Sequence, residues 1–464
     1  MRLILKTYGF LIILALFSTI RAEILNLDLK TAREIALERN PSLKLAREGV
    51  HKASRHVIEA RGNLLPTINA YSNLQHAWAL QKNRIPNFLK APFDSLFYNL
   101  YTTGLVPTFT PQPEYLEMAF GLENVLIAGI QLQQPIYLGG TIRNGYNISK
   151  LGYNIAQLQF KSIEQNVLNE LTSSYYRVLF TKSTLTVFQE ALQSAEQNLE
   201  QVNKFYNVGK ASNFDLLRAE VQVANTKPFV ASAKNNFRLS ESGLRMIMGI
   251  DESIELNFVE ELELYYSELT IKSLEELMEI ALISRPEIQM LNDQKSITKK
   301  QVSLSKASFL PTVVFGTSYQ YQGMRNDLNF NSEDFNKSFN SSISISVPLF
   351  SGMKNSAKYQ QAKIAVKETE HQAESLINSI KLEVKSAYYT MQEALEKVQT
   401  QQKTIEQAKE AQRLAHLMYS EGSSTQLDIL NADLAVQQAQ MNYQQSLFEY
   451  NVALANLKKA INQL

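Results

Sequence analysis

Apolar residues recur along this chain with two periods. From Ile380 to Ala408 they step alternately by four and three. Ile380, Val384, Ala387, Met391, Ala394, Val398, Ile405 and Ala408 share one seam, broken only by Gln401. This heptad-like spacing predicts a long helix, with small residues allowing close packing. Lys354 to Ser420 holds no glycine or proline and is rich in Ala, Gln, Glu and Lys, which favour helix. At about 1.5 Å per residue such a helix spans on the order of 100 Å. A counterpart is predicted from about Tyr153 to Asn207, with return helices from about Asn213 to Arg245 and from Gln426 to Asn462. Pro228 predicts a kink in the first return helix, where the second has Met441. An earlier helical pattern, Leu29 to Arg61, places Ile35, Ala36, Leu43, Ala46 and Val50 near one face. Pro41 splits or kinks it.

Elsewhere the period is two. Ser342 to Val347 alternates Ser with Ile and Val. Val313, Phe315, Thr317, Tyr319 and Tyr321 form one face of the preceding segment, and Ile130 and Leu132 alternate with Gln131 and Gln133. Each half of the chain therefore carries two strands joined by a loop. One loop runs from about Gln322 to Asn340 and is rich in Asn and Asp. The other, Gln81 to Glu123, carries Pro86, Pro92, Pro107, Pro111, Pro113 and many aromatics, and reads most simply as an exposed excursion, with short extra structure as the alternative. The alternation fits a lipid-facing strand and a soluble sheet equally.

The two halves are copies. Pro286 follows Pro41, and Pro311 follows Pro66, by the same 245 positions. Pro348-Leu349-Phe350-Ser351-Gly352 follows Pro135-Ile136-Tyr137-Leu138-Gly139 by 213, and the same offset links Tyr175 to Tyr388, Gly209 to Gly422, Asp215 to Asp428 and Leu244 to Leu457. A constant offset over such a length marks internal duplication. The two offsets differ by 32, so the first half carries about that many extra residues between Pro66 and Pro135. The chain divides into a leader at 1–22, a first repeat at 23–250, a linker at 251–270 and a second repeat at 271–464. The linker is acidic, with Asp251, Glu252, Glu255, Glu260, Glu261, Glu263 and Glu268, and reads as a solvated connector packed on the helices.

One short motif occurs in both repeats. Phe205-Tyr206-Asn207-Val208-Gly209 is followed six residues after its glycine by Asp215. Met418-Tyr419-Ser420-Glu421-Gly422 is followed at the same distance by Asp428. The glycine suits a left-handed helix stop, and Ser212 or Asn213, like Ser424 or Thr425, suits the cap of the next helix. Each copy therefore reads as the bend of a helical hairpin.

Composition narrows the setting. The 464 residues carry a formal charge of +1 and no basic tail, which gives no pointer to nucleic acid. Arg2, Lys6, the apolar run Leu11 to Phe17 and Ala22 make residues 1–22 resemble a secretory signal, the rival being a membrane anchor. The chain has no cysteine, so it has no disulfide framework, thiolate metal site or lipid-bearing Cys. No later segment reaches the roughly 18 apolar residues of a spanning helix. A membrane role then requires a closed β-barrel. Four strands are too few to close one, which points to a barrel shared between chains.

The five histidines are scattered, and no metal-ligand spacing, phosphate loop or nucleophile elbow is present. No enzyme activity and no cofactor are expected. Tyr175-Tyr176 and Tyr388-Tyr389 read as packing residues. Asp215 and Asp428 keep two readings: stabilisers of a helix start, or charged rings at a pore mouth if chains assemble around an axis.

These features together resemble the TolC-like outer-membrane efflux family. The resemblance rests on the leader, the tandem repeat, the Leu-Pro-Thr strand entries at Leu65–Thr67 and Leu310–Thr312, the turns at Pro135–Gly139 and Pro348–Gly352, and the Tyr-x-x-Gly-x5-Asp motif at 206–215 and 419–428. It implies a mainly helical chain with four transmembrane strands. Three chains would form a twelve-stranded outer-membrane barrel and a periplasmic helical tunnel. It implies docking of a periplasmic adaptor at bends that include Val208, Gly209, Glu421 and Gly422, and coupling to an inner-membrane transporter in efflux or type I secretion. Asp215, Tyr419 and Asp428 match its closing network. Ser424 stands where an arginine can occur, and Asn431 where a second acidic ring can lie, which predicts a weaker lock and a weaker cation trap. The competing reading is a non-transporting coiled-coil scaffold of the periplasm or cell surface.

Overall fold

The computed structural model describes residues 24–464, and the leader at 1–22 lies outside them. In chain order the elements are β1 (Ile24–Leu27), α1 (Leu29–Arg39), α2 (Pro41–Gly62), β2 (Thr67–His76), β3 (Lys82–Pro86), α3 (Lys90–Thr102), β4 (Tyr115–Ala119) and β5 (Asn124–Leu138). There follow α4 (Thr141–Asn207), α5 (Asn213–Met248), β6 (Glu255–Phe258), α6 (Leu274–Ser284) and α7 (Pro286–Ala307), then β7 (Thr312–Arg325), β8 (Phe335–Ser346), α8 (Lys354–Ser420) and α9 (Gln426–Ala460). The chain groups into two units. One holds the described residues through His56, Ser149–Lys299 and Ile364–Leu464; the other holds Val57–Ile148 and Lys300–Lys363. Both units draw on both repeats.

The helices α4 and α8, which lie mostly in the first unit, are each 67 residues long and start 213 residues apart. The start of α4 falls twelve residues before Tyr153, because the helix runs on through Gly145 and Gly152, residues that weaken the helical pattern without breaking it. The seam predicted on α8 is buried at Ile380, Val384, Met391, Ala394 and Val398, and half-buried from Gln401 onward. The repeat partners Leu244 and Leu457 are both fully buried in one core with Leu171, Val178, Leu277 and Leu447. Pro41 does split its helix. Asn40 bridges the break, its Oδ1 accepting from the amides of Ser42 and Leu43 at 2.8 and 3.1 Å. Pro228 does not end α5, which is continuous from Asn213 to Met248.

The acidic linker is more than a solvated connector. Its strand β6 pairs in parallel with β1, and alternation buries Leu256 and Phe258 while Glu255 and Asn257 face out. Helices of both repeats hold it. Tyr175 donates to Glu260 Oε2 at 2.7 Å and Lys182 donates to the Phe258 carbonyl at 3.2 Å. From the other repeat, Tyr450 donates to the Tyr265 carbonyl at 2.9 Å and Asn451 to the Glu263 carbonyl at 3.0 Å. Burial and the Glu260 charge raise the Tyr175 phenol above its ordinary range, so it remains a donor. The packing reading of the tyrosine pairs therefore holds at Tyr175, fully buried, and fails at Tyr389, which is 51% exposed.

The second unit holds a four-stranded antiparallel sheet in the order β2-β5-β7-β8. Its strands outrun the predicted ones, leaving only residues 326–334 between β7 and β8. Register places like with like. Ile68 lies opposite Leu132, Ala70 opposite Ile130 and Leu74 opposite Leu126. Ile130 then faces Tyr319, Tyr319 faces Phe339, and Phe315 faces Ile343. One sheet face is therefore mainly apolar across all four strands, interrupted by Ser72, Thr317, Ser341 and Lys337. Ile68, Leu74, Ile130, Phe339, Ile343 and Ile345 on it are all exposed. The other face carries Asn69, Asn73, Gln131, Gln320, Ser342 and Ser344. There Tyr71 donates to Gln320 Oε1 at 2.7 Å across Gly129. A Cβ on Gly129 would lie 2.7 Å from the Tyr319 carbonyl oxygen, so that position accepts no side chain without a shift.

The excursion at 81–123 is not plain loop. It contains α3 and the two-stranded β3–β4 hairpin, with Lys82 opposite Ala119 and Pro86 opposite Tyr115.

Tyr175→Phe removes the buried phenol that donates to the exposed Glu260 carboxylate. Water can take the lost donor's place on Glu260, so the expected cost is about 0.5–1.5 kcal/mol, read as a lower thermal midpoint by circular dichroism. The repeat partner Tyr388 only accepts an exposed bond from Gln392 at 2.8 Å, so Tyr388→Phe is expected to leave the midpoint unchanged.

Candidate functional site

The two bends are built alike from local hydrogen bonds. At the first, Gly209 adopts φ +76°. Its amide donates to the Tyr206 carbonyl at 3.0 Å, and that of Lys210 to the Phe205 carbonyl at 2.8 Å. At the second, Gly422 adopts φ +77°. Its amide reaches the Tyr419 carbonyl at 3.0 Å, and that of Ser423 the Met418 carbonyl at 2.9 Å. This 6→1 and 5→2 pairing ends a helix on a left-handed residue, and a Cβ in that conformation is strained. Space is not the constraint, since a Cβ at either glycine meets nothing within 4 Å.

Each next helix opens on a reciprocal cap. Ser212 Oγ accepts from the Asp215 amide at 3.1 Å, while Asp215 Oδ2 accepts from the Ser212 amide at 3.2 Å and hydroxyl at 2.6 Å. In the second repeat Thr425 and Asp428 form the same box. Asp428 Oδ2 accepts from the Thr425 amide at 2.8 Å and from its hydroxyl at 2.6 Å. Ser424, at the place open to an arginine, donates to the same oxygen at 3.0 Å. Hydrogen bonds from Thr425, joined by that of Ser424, hold the Asp428 carboxyl below its ordinary range. The residue therefore stays ionised while it caps. Helix capping and a charge at a mouth are compatible roles for it.

The fold brings the two bends together. Phe205 and Tyr419 lie with ring centroids 5.9 Å apart and planes tilted at 45°. Burial, and then the negative charge of Asp215, raise the Tyr419 phenol above its ordinary range. Asp215 and Tyr419 thus feel each other across the hairpins, while Asp428 sits in its own cap. Val208, Gly209, Glu421 and Gly422 are all exposed, Val208 at 66%. Asn431 is exposed as well.

A further cluster was missed by the sequence reasoning. Asp433 on α9 accepts from Gln412 at 2.8 Å and from Ser194 of the first hairpin at 3.3 Å, and its Oδ1 lies 3.0 Å from His416 Nε2. Gln412 and His416 are four apart and share a helix face. That spacing was the available signal, but only the hairpin fold brings Ser194 to it.

The family model for Outer membrane efflux protein matches residues 32–250 and 277–463. The chain belongs to that family. Like its relatives, this efflux-family protein is an outer-membrane protein. It is 22% identical over 343 residues to outer membrane protein TolC of Vibrio cholerae, covering 74% of this chain and 77% of that one. It is 21% identical over 342 residues to the alkaline protease secretion protein AprF of Pseudomonas aeruginosa, covering 72% and 68%. In fold it resembles the open state of the MtrE outer membrane channel of Neisseria gonorrhoeae, with a TM-score of 0.72 at 20% identity over 96% of this chain and 92% of that one. The names of these proteins thus point to the outer membrane, to protease secretion and to an outer membrane channel.

Ser212→Ala and Thr425→Ala each remove one cap of about 1 kcal/mol. Amide exchange in the first turn of the following helix is expected to speed up roughly fivefold, with the other bend unaffected. The Asp428 cap contributes fully above the ordinary carboxylate value of 3.8 and is lost as pH falls through its lowered folded value. Protection at the second bend, taken relative to the intrinsic exchange rate at each pH, should therefore hold at pH 5 and fall below about pH 4. Asp428→Ala should abolish that pH dependence.

Proposed function

We propose that three copies of this chain form an outer-membrane exit duct, serving a periplasmic adaptor and an inner-membrane transporter in efflux or type I secretion. One observation carries the reading: the four-stranded sheet has two open edges and an uncovered apolar face. Its edge strands β2 and β8 run in opposite directions, so β8 of one copy can pair with β2 of the next and keep the ladder antiparallel. A ring of three gives twelve strands with no edge left. Closure satisfies every backbone group, which a sheet needs in hydrocarbon. The apolar face then turns to lipid, and the Asn, Gln and Ser face lines a watery interior.

The long hairpins would supply the periplasmic tunnel and the bends its inner end. The exposed tips at Val208, Gly209, Glu421 and Gly422 offer the adaptor contact. Asp215, Tyr419 and Asp428 would narrow the passage there, with each Asp repeated around the axis. The chain acts as a conduit and not as a catalyst. The coiled-coil scaffold reading accounts for the helices but leaves the apolar sheet face without a role.

Extraction of expressing cells should yield a detergent-soluble trimer from the outer membrane. A soluble periplasmic monomer would end the proposal. In planar bilayers Asp428→Ala should raise single-channel conductance or relieve block by multivalent cations; unchanged traces would remove Asp428 from the constriction. Substitution of Gly209 or Gly422 by a bulky residue should abolish export and keep the trimer. Export that survives would place the adaptor contact elsewhere.

A further inference from the structure

The excursion between β2 and β5 forms regular structure with nothing beneath it. None of residues 81–123 is buried, yet they include a 13-residue helix and a two-stranded hairpin. Neither element is independently stable at that size in water. On α3, Phe93, Leu96, Phe97, Leu100 and Tyr101 recur at helical spacing and form an apolar stripe. Phe93 and Phe97 stack at 6.2 Å, and both are more than 40% exposed. The polar side of α3 is already engaged: Lys90 binds Asp94 and the Gln112 carbonyl, and Asp94 accepts from the Gln112 amide.

We infer that the apolar stripe of α3 packs against the same excursion of neighbouring copies, forming a collar at the strand ends remote from the helical connections. This inference rests on the ring of copies proposed above. Two observations choose the occupant. The excursion leaves β2, an edge strand, and is therefore continuous with the seam where copies meet. Its charge is also wrong for a membrane surface. It has three cationic and four acidic side chains. Two of the cations are paired within it, Lys90 with Asp94 and Arg84 with Glu117. A helix lying on anionic lipid needs free basic residues flanking its apolar face. Nor does the excursion cover its own sheet, whose apolar face stays exposed at Ile68, Leu74 and Ile130.

The lack of native cysteine makes the test direct. Phe97→Cys and Ser95→Cys place single thiols on opposite faces of α3. Each variant is treated in isolated outer membranes with a water-soluble maleimide, and its mass in detergent is measured in parallel. The collar predicts labelling of Phe97→Cys at least tenfold slower than of Ser95→Cys, in a preparation that is trimeric. A trimer in which both positions label at the same rate overturns the collar and leaves the duct standing. A trimer in which Phe97→Cys is protected but a fluorophore on its thiol is quenched by brominated lipid assigns the stripe to the bilayer and also overturns it. Absence of any trimer removes the duct reading and the collar together.

Discussion

A β-sheet in hydrocarbon must leave no backbone donor or acceptor unpaired. The largest sheet of this chain stops at four strands, with open edges at β2 and β8. The ring of copies proposed above would meet that deficit. The register gathers most of the large apolar residues of the four strands on one face, which a soluble monomer would have to cover. Gly129 lets Tyr71 reach Gln320 across the opposite, polar face and ties three strands together before any second copy is added.

The helical unit answers a different demand. Two duplicated halves must be held in one register along helices of 67 residues. The linker does this by being gripped from both sides. Tyr175 and Lys182 reach it from one repeat, and Tyr450 and Asn451 from the other. Duplication supplied two similar faces, but only one linker lies between them. The repeat partners consequently diverge: Tyr175 is buried against Glu260, while Tyr388 makes an exposed bond along its own helix.

Much of this was legible in the residues, because the strongest signals were periodic and repeated. The heptad steps around Val384, the strand alternation around Ile343 and the paired bends at Gly209 and Gly422 each carry a local cause that tertiary packing reinforces. The failures have equally local reasons. Gly145 and Gly152 hid the start of α4, whose long flanking pattern carries the helix through them. The acids of the linker masked Leu256 and Phe258, since two buried positions in a four-residue strand make a weak alternation. Prolines from Pro86 to Pro113 left the short structure of the excursion without a type or a place, and α3 and the β3–β4 pair supply both. At the bends, the caps at Asp215 and Asp428 could be read from spacing. The contacts of Tyr419 with Phe205, and of Asp433 with Ser194, join residues some two hundred positions apart and follow only from the folded hairpins.

The bends carry one more implication. Their hydrogen bonds close within six residues of chain, so the backbone of each corner is held by its own residues, and the Phe205–Tyr419 contact is a link between corners. Drawing the hairpins apart would leave both corners intact and break only the links between hairpins, such as the grip of Ser194 on Asp433. The corners are fixed elbows, and any dilation of the proposed passage would be a displacement of whole limbs.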